Sequence, residues 1–550
     1  MKAAQSDRLA RPVQFLRTEG LFGIAIVIGA ALRLYAIGDQ ILADDEWHAL
    51  RAALTYDWGY IASHFGGADY SIPLALLYKA LLGSVGLSEM LMRAPVLVGG
   101  IAGLIGLAWL VRISAGKQTG DIFAFLLAVS PFHVYFSRYA RPYAISMALS
   151  FAALLAITLW WNTGKRRWAV LFVLAAVLAP YFHMTSLPVV VAPLPLLLAM
   201  SLLGRREGRS RGVLGLAGAV VLGLVLLLAA PLAHDSAALL TKTGADRHIS
   251  SHTVSVAFQL WTGTAHGWLQ MLMLAPVIAG ALLLRRQQLL LIIIALVLVV
   301  QAAALAITKP YLAHHGITLA RYGLIVVPIS TLLMGQSLAQ VEHALGRILG
   351  WFPSGASGLA AAALLFALGP LPSTYRLPNN WTNHALYQYV YDLGDRLLYA
   401  MQNLGPPVTP RFYEELSHRP PASVYILEAP WYYDWHHAHY PLLQYRHRQR
   451  MSIGFVSPLQ QPSDNELPLA DSRLRFGHFT HVSDIAMLRR RDVDYVIFHR
   501  DLRSELATGS SMPAIDVTDW IDFYTQRVGA PVYDAEGIVV FDLAPERRRY

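Results

Sequence analysis

The stretch of sequence that decides the fold lies near the N-terminus, where residues 21–46 read LFGIAIVIGAALRLYAIGDQILADDE. Residues 21–37 are apolar apart from one arginine, and such a run predicts a membrane-spanning helix, because roughly 20 helical residues cross ~30 Å of hydrocarbon. The acidic triplet Asp44, Asp45 and Glu46 follows just beyond it. Carboxylates at the mouth of a helical bundle seldom serve packing alone, so this triplet is the first candidate for chemistry.

Similar apolar runs recur along most of the chain. Its 550 residues are 55% hydrophobic and only 14% charged, with a mean hydropathy of +0.43, which is too apolar for a soluble protein. The sequence therefore predicts a polytopic α-helical membrane protein with about 11 transmembrane helices, within a range of roughly 11–13. The candidate spans are residues 21–37, 91–111, 121–137, 141–161, 168–184, 187–203, 212–233, 268–284, 289–307, 320–341 and 355–372.

The composition changes after the last candidate span and predicts two domains. Residues 1–372 would form the membrane domain, whereas residues 373–550 are rich in charge, proline, tyrosine and histidine and predict a water-soluble α/β or α+β domain. Residues 431–437 are aromatic and histidine-rich, and would either grip a sugar or rest on the membrane surface. The candidate elements of this domain are a helix at 383–404 and strands at 423–427, 495–498 and 537–541.

The basic residues predict the topology. With the N-terminus in the cytoplasm, every strongly basic short loop falls on the cytoplasmic side, provided that residues 72–86 are re-entrant or interfacial instead of crossing. No small-residue cleavage site follows the first span, so we expect it to stay uncleaved. The exterior side then carries the loop 38–90, which holds the acidic triplet, and the C-terminal domain. This arrangement predicts a bacterial inner-membrane protein whose active site faces the periplasm.

Composition also excludes several classes of function. The chain has no cysteine, which rules out disulfides, thiolate metal sites and cysteine nucleophiles. Its net charge of +9 is explained by the short loops between spans, so no nucleic-acid partner is predicted. The sequence contains neither a P-loop nor a dinucleotide-binding glycine fingerprint after a strand, which argues against a nucleotide-driven transporter.

Residues 42–54 predict a short amphipathic helix on the exterior side. Asp44 is a plausible N-cap, and Trp47, Leu50 and Leu54 are spaced as one apolar stripe. A helix lying in the interface would hold Asp45 or Glu46 over the bundle. The alternative is that the three acids only cap the helix and solvate the surface.

Two sets of cationic and aromatic residues lie at the predicted exterior ends of spans. A membrane-edge cation is costly without an anionic partner, which here would be a phosphate or a carboxylate such as Asp45; snorkelling to lipid headgroups is the alternative. Groups of like charge gain most from one shared anion. The first set is Arg138, Arg141 and Tyr143, and the second is Lys309, His314, His315, Arg321 and Tyr322.

Histidines on the exterior side are candidate metal ligands. His183, His248, His252 and His266 all fall there, and Glu46 would complete a site with His183 or His266. The spacing of these residues matches no metal motif, so ordinary hydrogen-bonded or exposed histidines are favoured. Whether a divalent metal is needed stays open.

Exterior carboxylates facing exterior cations suit the transfer of a sugar from a lipid-linked phosphosugar. The lipid tail would lie in the membrane, the cations would stabilise the departing phosphate, and a carboxylate would take the proton of the attacking hydroxyl. A transporter of lipid-linked sugars and a non-catalytic envelope-assembly protein are the alternatives. Transporters commonly have repeated halves and polar residues near the midplane, whereas no repeat is evident here.

Three motifs resemble the GT-C integral-membrane glycosyltransferases, in particular the protein O-mannosyltransferases and lipid A aminoarabinose transferases of glycosyltransferase families 39 and 83. The resemblance covers roughly residues 20–345. Its motifs are Asp45-Glu46 beyond Leu32-Arg33-Leu34-Tyr35, the segment 137–144 with its Ala-Arg-Pro-Tyr-Ala core, and Arg321-Tyr322 followed by Pro328. Many relatives carry an acidic residue in the second motif, where this chain has Tyr139 or Tyr143.

The resemblance implies a function and roles for these residues. It implies an inverting transferase that uses a polyprenyl-phosphate monosaccharide donor, membrane lipids around it, and a glycolipid, polysaccharide or protein acceptor. Asp45 matches the catalytic acid of the family, with Glu46 beside it as a supporting or metal-facing carboxylate, although the extra Asp44 makes the base ambiguous by one position. The residues expected to bind the donor phosphate are Arg138, Arg141, Tyr143, Lys309, His315, Arg321 and Tyr322.

Overall fold

A computed structural model of the chain describes a helical bundle and a six-stranded β-sheet. The residues it describes are 21–35, 37, 46–66, 70–204, 209–241, 248–264, 266–310, 313–350, 352–369, 371–372, 409–421, 423–429, 443, 447–455, 479–490, 492–500 and 516–545. The helix expected at 383–404 and the aromatic piece 431–437 lie outside these residues.

The bundle consists of helices joined mostly by short connections. In chain order they are α1 (Leu21–Leu34), α2 (Trp47–Thr55), α3 (Trp58–Ser63), α4 (Ile72–Leu82), α5 (Glu89–Ala115), α6 (Lys117–Ala128), α7 (Pro131–Phe136), α8 (Tyr143–Thr163), α9 (Arg166–Phe182), α10 (Leu187–Val191), α11 (Pro193–Leu202), α12 (Ser210–Thr241), α13 (Ser251–Thr262), α14 (Gly267–Leu284), α15 (Gln288–Thr308), α16 (Gly316–Tyr322), α17 (Val326–Leu349) and α18 (Ala356–Leu368). A 3-10 turn, Met184–Ser186, precedes α10.

The chain is a polytopic α-helical membrane protein. Six of the described helical segments are long and apolar enough to cross a bilayer, and α16 and α17, bent by 69°, would make a seventh span if they are counted as one. The expected count of about eleven is therefore not established by length and composition alone. Several expected spans are shorter helices: α6 has 12 residues and ends before Pro131, and α9 has 17.

Helix α8 lies at the centre of the bundle. In its spanning window 78% of the residues are buried, against 17% in α14, so α8 faces protein on nearly all sides. It packs against α5 and α9. Gly164 ends the helix in the left-handed conformation, with φ 70°, which glycine adopts at no steric cost. The segment just before α8 is thereby held at one end of a rigid, enclosed helix.

Helix α4 covers the apolar stretch that the topology required not to cross the membrane. It has 11 residues, or about 16 Å at 1.5 Å per residue, which is about half of the hydrocarbon thickness. Tyr78 of this helix donates a hydrogen bond to the carbonyl oxygen of Met92 in α5, at 2.6 Å. The helix is thus attached to the first turns of α5.

The described C-terminal residues form a mixed sheet flanked by α19 (Arg411–Ser417), α20 (Ile485–Arg490) and α21 (Thr518–Val528). Its strands, in the order β3-β2-β1-β4-β6-β5, are β1 (Tyr425–Ala429), β2 (Arg450–Phe455), β3 (Phe479–His481), β4 (Tyr495–His499), β5 (Tyr533–Ala535) and β6 (Ile538–Asp542).

The strand pairing explains the sequence pattern of the sheet. Strands β3, β2, β1 and β4 are parallel, and β6 and β5 are antiparallel. Every residue of β1 and β4 is buried, as expected for central parallel strands covered on both faces. The hairpin from β5 to β6 turns at Glu536 and Gly537, both with positive φ, which is the geometry of a type I′ turn.

Candidate active site

Glu46 lies immediately before α2, the short amphipathic helix that the sequence predicts. The inward face of this helix includes Ala49, Leu50 and Ala53, all of them buried. Glu46 is itself 0% exposed, so its carboxylate does not solvate the surface. Burying a carboxylate without partners would be very costly, and the interactions of Glu46 therefore decide its role.

The other acids of the triplet, Asp44 and Asp45, lie outside the described residues, as do the side chains of Trp47 and Leu54. The assignment of Asp45 as catalytic acid stays a prediction. Asp45 directly precedes Glu46 in the sequence, and Glu46 is described.

Glu46 is fixed by an ion pair with Arg93 of α5 and by a backbone amide. Arg93 donates from Nε to Oε1 at 3.1 Å and from Nη2 to Oε2 at 2.9 Å, and the amide of Ala140 donates to Oε1 at 2.7 Å. Arg93 is also 0% exposed. The carboxylate thus joins the start of α2, helix α5 and the segment 137–144, which carries the second sequence motif.

Arg93 was not singled out from the sequence. It is the only charged residue of α5 between Glu89 and Arg112, and an arginine at such a position needs an anionic partner. The sequence does not identify that partner, because Glu46 lies 47 residues away along the chain. A lone cation at a membrane edge is the signal that would have pointed to Arg93.

Two arginines lock the end of α1 to the second motif. Arg138 donates from Nη1 to the carbonyl oxygens of Leu32 and Tyr35, at 3.0 and 2.7 Å, where the last carbonyls of a helix otherwise have no partner. In the opposite direction, Arg33 of α1 donates from Nε to Ser137 Oγ at 3.2 Å. The described contacts of Arg138 thus place it as a cap on α1.

Arg141 and Arg321 meet at the ring of Tyr143. Their guanidinium carbons lie 5.7 and 5.4 Å from the centroid of that ring, within the range of a cation–π interaction. Arg141 and Tyr143 are each only 3% exposed. Residues from the second and third sequence motifs, some 180 positions apart, are therefore neighbours, as a shared anion site requires.

His183 and Tyr322 extend this cation–aromatic cluster. The His183 ring lies 4.9 Å from that of Tyr143 and 5.7 Å from that of Tyr322, centroid to centroid. His183 is 4% exposed, and its Nδ1 lies 2.6 Å from Thr185 Oγ1. We call Arg141, Tyr143, His183, Arg321 and Tyr322 the arginine–tyrosine cluster. Four of its members were expected to bind phosphate, and His183 was expected as a metal candidate.

Gln301 holds two parts of this cluster together and was also missed from the sequence. From the interior of α15, its Nε2 donates to the carbonyl oxygens of Thr185 and Tyr322, at 3.1 and 2.9 Å. Thr185 lies two residues after His183, and Tyr322 directly follows Arg321. Gln301 is the single polar side chain between Leu289 and Ile307, and an isolated polar residue in a spanning helix is a signal for function.

The remaining sequence candidates lie at the ends of helices. Lys309 ends α15 in the left-handed conformation, with φ 39°, and His315 precedes α16 beside His314, with 4.1 Å between ring centroids. His266 precedes α14 and stacks near Trp268. Among the residues described, no three His, Asp or Glu side chains are grouped so as to hold a metal ion. Both carboxylate oxygens of Glu46 are already engaged, so Glu46 does not fit a metal ligand in this geometry.

The segment after α2 is attached to the C-terminal part of α12. Rings of Tyr56, Tyr60, His64 and His234 stack in succession, with centroids 4.3, 3.9 and 4.5 Å apart. Partial burial, and then the nearby Tyr56 and Asp235, raise the pKa of Tyr60. This stack connects the loop that carries the acidic triplet to a long span, and so restrains the loop.

The sheet domain has a buried polar cluster of its own. Glu428 of β1 accepts hydrogen bonds from Tyr413, at 3.0 and 2.9 Å, and its Oε2 lies 2.7 Å from His499 Nε2. The ring of His447 stacks on that of Tyr413, with centroids 5.6 Å apart, and burial lowers the pKa of His447 to about 3. These contacts join α19 to strands β1 and β4.

Comparison with known proteins identifies the fold. No protein-family model matches the sequence, and no curated protein sequence matches it. The crystal structure of ArnT from Cupriavidus metallidurans bound to undecaprenyl phosphate matches with a TM-score of 0.50 and 13% identity, over 96% of this chain and 99% of that protein. The apo structure of ArnT matches with a TM-score of 0.50 and 13% identity, over 95% and 98%.

A crystal structure of the Archaeoglobus fulgidus oligosaccharyltransferase also matches, with a TM-score of 0.44 and 14% identity, over 88% of this chain and 68% of that protein. The likeness to ArnT runs along nearly the whole of both chains. It confirms the GT-C fold that the sequence motifs predict.

Proposed function

We propose that this chain is a glycosyltransferase that moves one monosaccharide from a polyprenyl-phosphate-linked donor to an acceptor outside the cytoplasm. The observation that carries the proposal is the approach of Arg141 and Arg321 to the Tyr143 ring, within a bundle that has the fold of ArnT. ArnT is bound to undecaprenyl phosphate in one of its crystal structures. A lipid-linked phosphosugar has the apolar tail and the anion that such a bundle would accommodate.

The arginine–tyrosine cluster would bind the phosphate of the donor. Two guanidinium groups around one ring repel each other, and a single anion between them removes that repulsion while accepting hydrogen bonds from both. The charge on the phosphate grows as the glycosidic bond breaks. Fixed cations in a largely buried site stabilise that growing charge without reorganisation, which is the usual way in which such sites lower a barrier.

Asp45 would act as the general base. The acceptor hydroxyl oxygen bonds to the anomeric carbon while the bond from that carbon to the phosphate oxygen breaks. The hydroxyl proton passes to Asp45, and polyprenyl phosphate leaves with the bonding electrons, so that the anomeric centre is inverted. Glu46 takes no part in this step as a metal ligand, because its described oxygens accept hydrogen bonds from Arg93 and Ala140.

Glu46 would act as the positioning residue for this base. Its ion pair with Arg93 holds the chain at the residue next to Asp45, and its bond to the amide of Ala140 holds the segment that leads to Arg141. One buried carboxylate would therefore set the base and one of the phosphate ligands relative to each other. Catalytic geometry of this kind needs support to within about 0.5 Å.

The proposed setting is the bacterial inner membrane, with the site on the periplasmic face and a glycolipid, polysaccharide or protein as the acceptor. The basic short loops favour this orientation, because they fall on one side of the membrane. Acceptor choice would depend on the exterior loops, in which function commonly concentrates.

The proposal is tested by transfer of radiolabelled sugar from a panel of polyprenyl-phosphate monosaccharides, using membranes that contain the wild-type protein, Asp45→Asn or Asp44→Asn. We expect transfer by the wild type and by Asp44→Asn, and none by Asp45→Asn, although that variant should still bind labelled polyprenyl phosphate. Loss only in Asp44→Asn would move the base by one residue. Label that crosses the membrane without covalent transfer would favour a transporter, and undiminished transfer by both variants would refute an aspartate base.

A further inference from the structure

The side chain of Gln301 has a hydrogen-bonding capacity that the described residues do not use. Gln301 is 4% exposed and lies seven residues before the end of α15 at Thr308, which is about 10 Å along the helix axis. A side-chain amide has two N–H donors and one carbonyl acceptor with two lone pairs. Both donors of Gln301 are used, whereas no described residue donates to its acceptor.

The orientation of this amide follows from the chemistry of its partners. Nε2 donates to the backbone carbonyl oxygens of Thr185 and Tyr322, at 3.1 and 2.9 Å. Carbonyl oxygens only accept hydrogen bonds, so the flipped amide would set Oε1 against two acceptors and lose both bonds. The observed orientation is therefore the only one that satisfies the two carbonyls, and Oε1 must face another way.

Oε1 of Gln301 is buried and meets no hydrogen-bond donor within the described part of the chain. A buried acceptor without a donor is destabilising, and such groups are rare in folded proteins. In a spanning helix an alanine or leucine would avoid the cost entirely. An acceptor retained in this place points to a ligand that supplies the donor.

The position of the amide indicates which part of a ligand it would meet. The amide bonds to the carbonyl oxygens of Thr185, two residues after His183, and of Tyr322, which follows Arg321. It therefore borders the arginine–tyrosine cluster. A phosphodiester offers only acceptor oxygens near neutral pH and gains nothing from Oε1. A sugar hydroxyl, in contrast, supplies the O–H donor that Oε1 lacks.

We propose that Oε1 of Gln301 accepts a hydrogen bond from one hydroxyl group of the donor sugar, and that Gln301 thereby selects which sugar is transferred. This inference rests on the proposed transferase function. A site with a buried acceptor discriminates strongly against an analogue without the matching donor, because the acceptor is then left unpaired. Gln301 would thus have two roles: its Nε2 holds the cluster together, and its Oε1 binds the sugar hydroxyl.

The test is a cycle that combines enzyme variants with substrate analogues. Polyprenyl-phosphate monosaccharides of the best donor sugar are prepared with each hydroxyl in turn replaced by fluorine, which cannot donate a hydrogen bond. The value of kcat/KM is measured for the wild type, for Gln301→Met and for Gln336→Met. Gln336 is the matched control, because its Oε1 already accepts a hydrogen bond from Thr119 at 3.1 Å.

We expect the wild type and Gln336→Met to lose roughly ten- to hundredfold in kcat/KM at one hydroxyl position, since an unpaired buried acceptor has a cost of that order. For Gln301→Met, fluorine at that position should cause no further loss in kcat/KM, although this variant transfers the unmodified sugar more slowly than the wild type does. Such non-additivity identifies a direct contact. If the role of Gln301 were purely structural, Gln301→Met would lower kcat/KM by the same factor for all donors.

Several results would overturn the inference. One is full additivity, in kcat/KM, between the effect of Gln301→Met and the effect of fluorine at every position. The amide would then only hold the two loops together. Another is a wild type that uses all fluorinated donors equally well, and this result needs no variant to fold. In both cases the transferase function survives, whereas absence of transfer from any polyprenyl-phosphate sugar would remove the proposed function together with this inference.

Discussion

Glu46 and Arg93 form a fully buried, two-point ion pair, with Nε to Oε1 at 3.1 Å and Nη2 to Oε2 at 2.9 Å. The pair joins two segments that are distant in the sequence, and a hydrogen bond from the Ala140 amide to Oε1 of Glu46 adds a third. Because both charges are removed from water, each depends on the other. Within the acidic motif, Glu46 therefore has a structural role, and it directly follows the proposed catalytic residue Asp45.

The first prediction concerns this pair. Glu46→Met alone and Arg93→Met alone should each destabilise the protein by about 3–5 kcal/mol, because each leaves an uncompensated buried charge. The double variant should recover much of that loss, since two methionines fill a similar volume without any charge. Unfolding in detergent, followed by tryptophan fluorescence, measures the three free energies.

Transfer activity separates stability from positioning in the same variants. If Glu46 sets the position of Asp45, the double variant should be stable and still slow. A double variant with wild-type activity would show that the pair only stabilises the fold.

The second prediction concerns the proposed phosphate ligands. Arg321→Ala should raise the KM for the lipid-linked donor by roughly ten- to hundredfold, because a charge-assisted hydrogen bond to phosphate contributes about 1.5–3 kcal/mol. The acceptor KM should change little. Arg285, which is exposed and lies at the predicted cytoplasmic end of α14, provides the control variant Arg285→Ala. A change confined to the acceptor KM would argue against a phosphate role for Arg321.

Much of the fold was predictable because it depends on local composition. Apolar runs predict helices in a bilayer whatever their partners, and α5, α8, α12, α14 and α15 all lie where such runs were found. The β-rich runs at 423–427, 495–498 and 537–541 likewise overlap β1, β4 and β6, within two residues at each end. Helix lengths were less well predicted: the expected span 121–137 is broken between α6, which ends at Ala128, and α7, which begins at Pro131, because a proline disfavours the helical conformation of the residue before it.

The site was predictable only in part, for a physical reason. Motif residues such as Arg141 and Arg321 stand out because charge is rare in a membrane domain, and the structure brings them to one ring. Arg93 and Gln301 escaped notice because their importance lies in partners 47 and 116 residues away. The periodicity of apolar residues predicts which face of a helix is buried, but it does not predict which distant segment packs against that face.

The third prediction concerns the close contact between α5 and the second motif. A methyl group on Gly100 would overlap the Ser137 side chain, which accepts a hydrogen bond from Arg33 Nε. Gly100→Ala should therefore destabilise the protein by about 1–3 kcal/mol, and it should also slow transfer by shifting the segment that carries Arg141. Thermal unfolding and transfer assays on the same preparation measure both effects.

Gly106 provides the matched control on the same helix. A methyl group there meets nothing within 4 Å, so Gly106→Ala should be neutral or stabilising by up to about 1 kcal/mol, as expected for a helical glycine. Equal effects of the two substitutions would show that helix flexibility matters, and not the contact with Ser137.

The last prediction is the acid sensitivity of the sheet domain. Burial lowers the pKa of His447 to about 3. As the pH falls below the ordinary histidine pKa of about 6.5, this residue therefore takes up a proton in the unfolded chain but stays neutral in the folded state. The stability that depends on neutral His447 is fully present above that value and is lost as the pH falls from there towards the folded pKa. The loss should reach about 2 kcal/mol by about pH 5.

The measurement is urea unfolding of the full-length protein in detergent across this pH range, for the wild type and for His447→Gln. Glutamine keeps an acceptor for the backbone N–H of Gln449, which donates to His447 Nδ1 at 3.0 Å, but it does not titrate. The stability of the variant should therefore fall less between neutral and acid pH, while other titrating groups contribute equally to both proteins and cancel in the difference. Parallel curves would mean that the ring takes up its proton in the folded state as readily as in the unfolded chain.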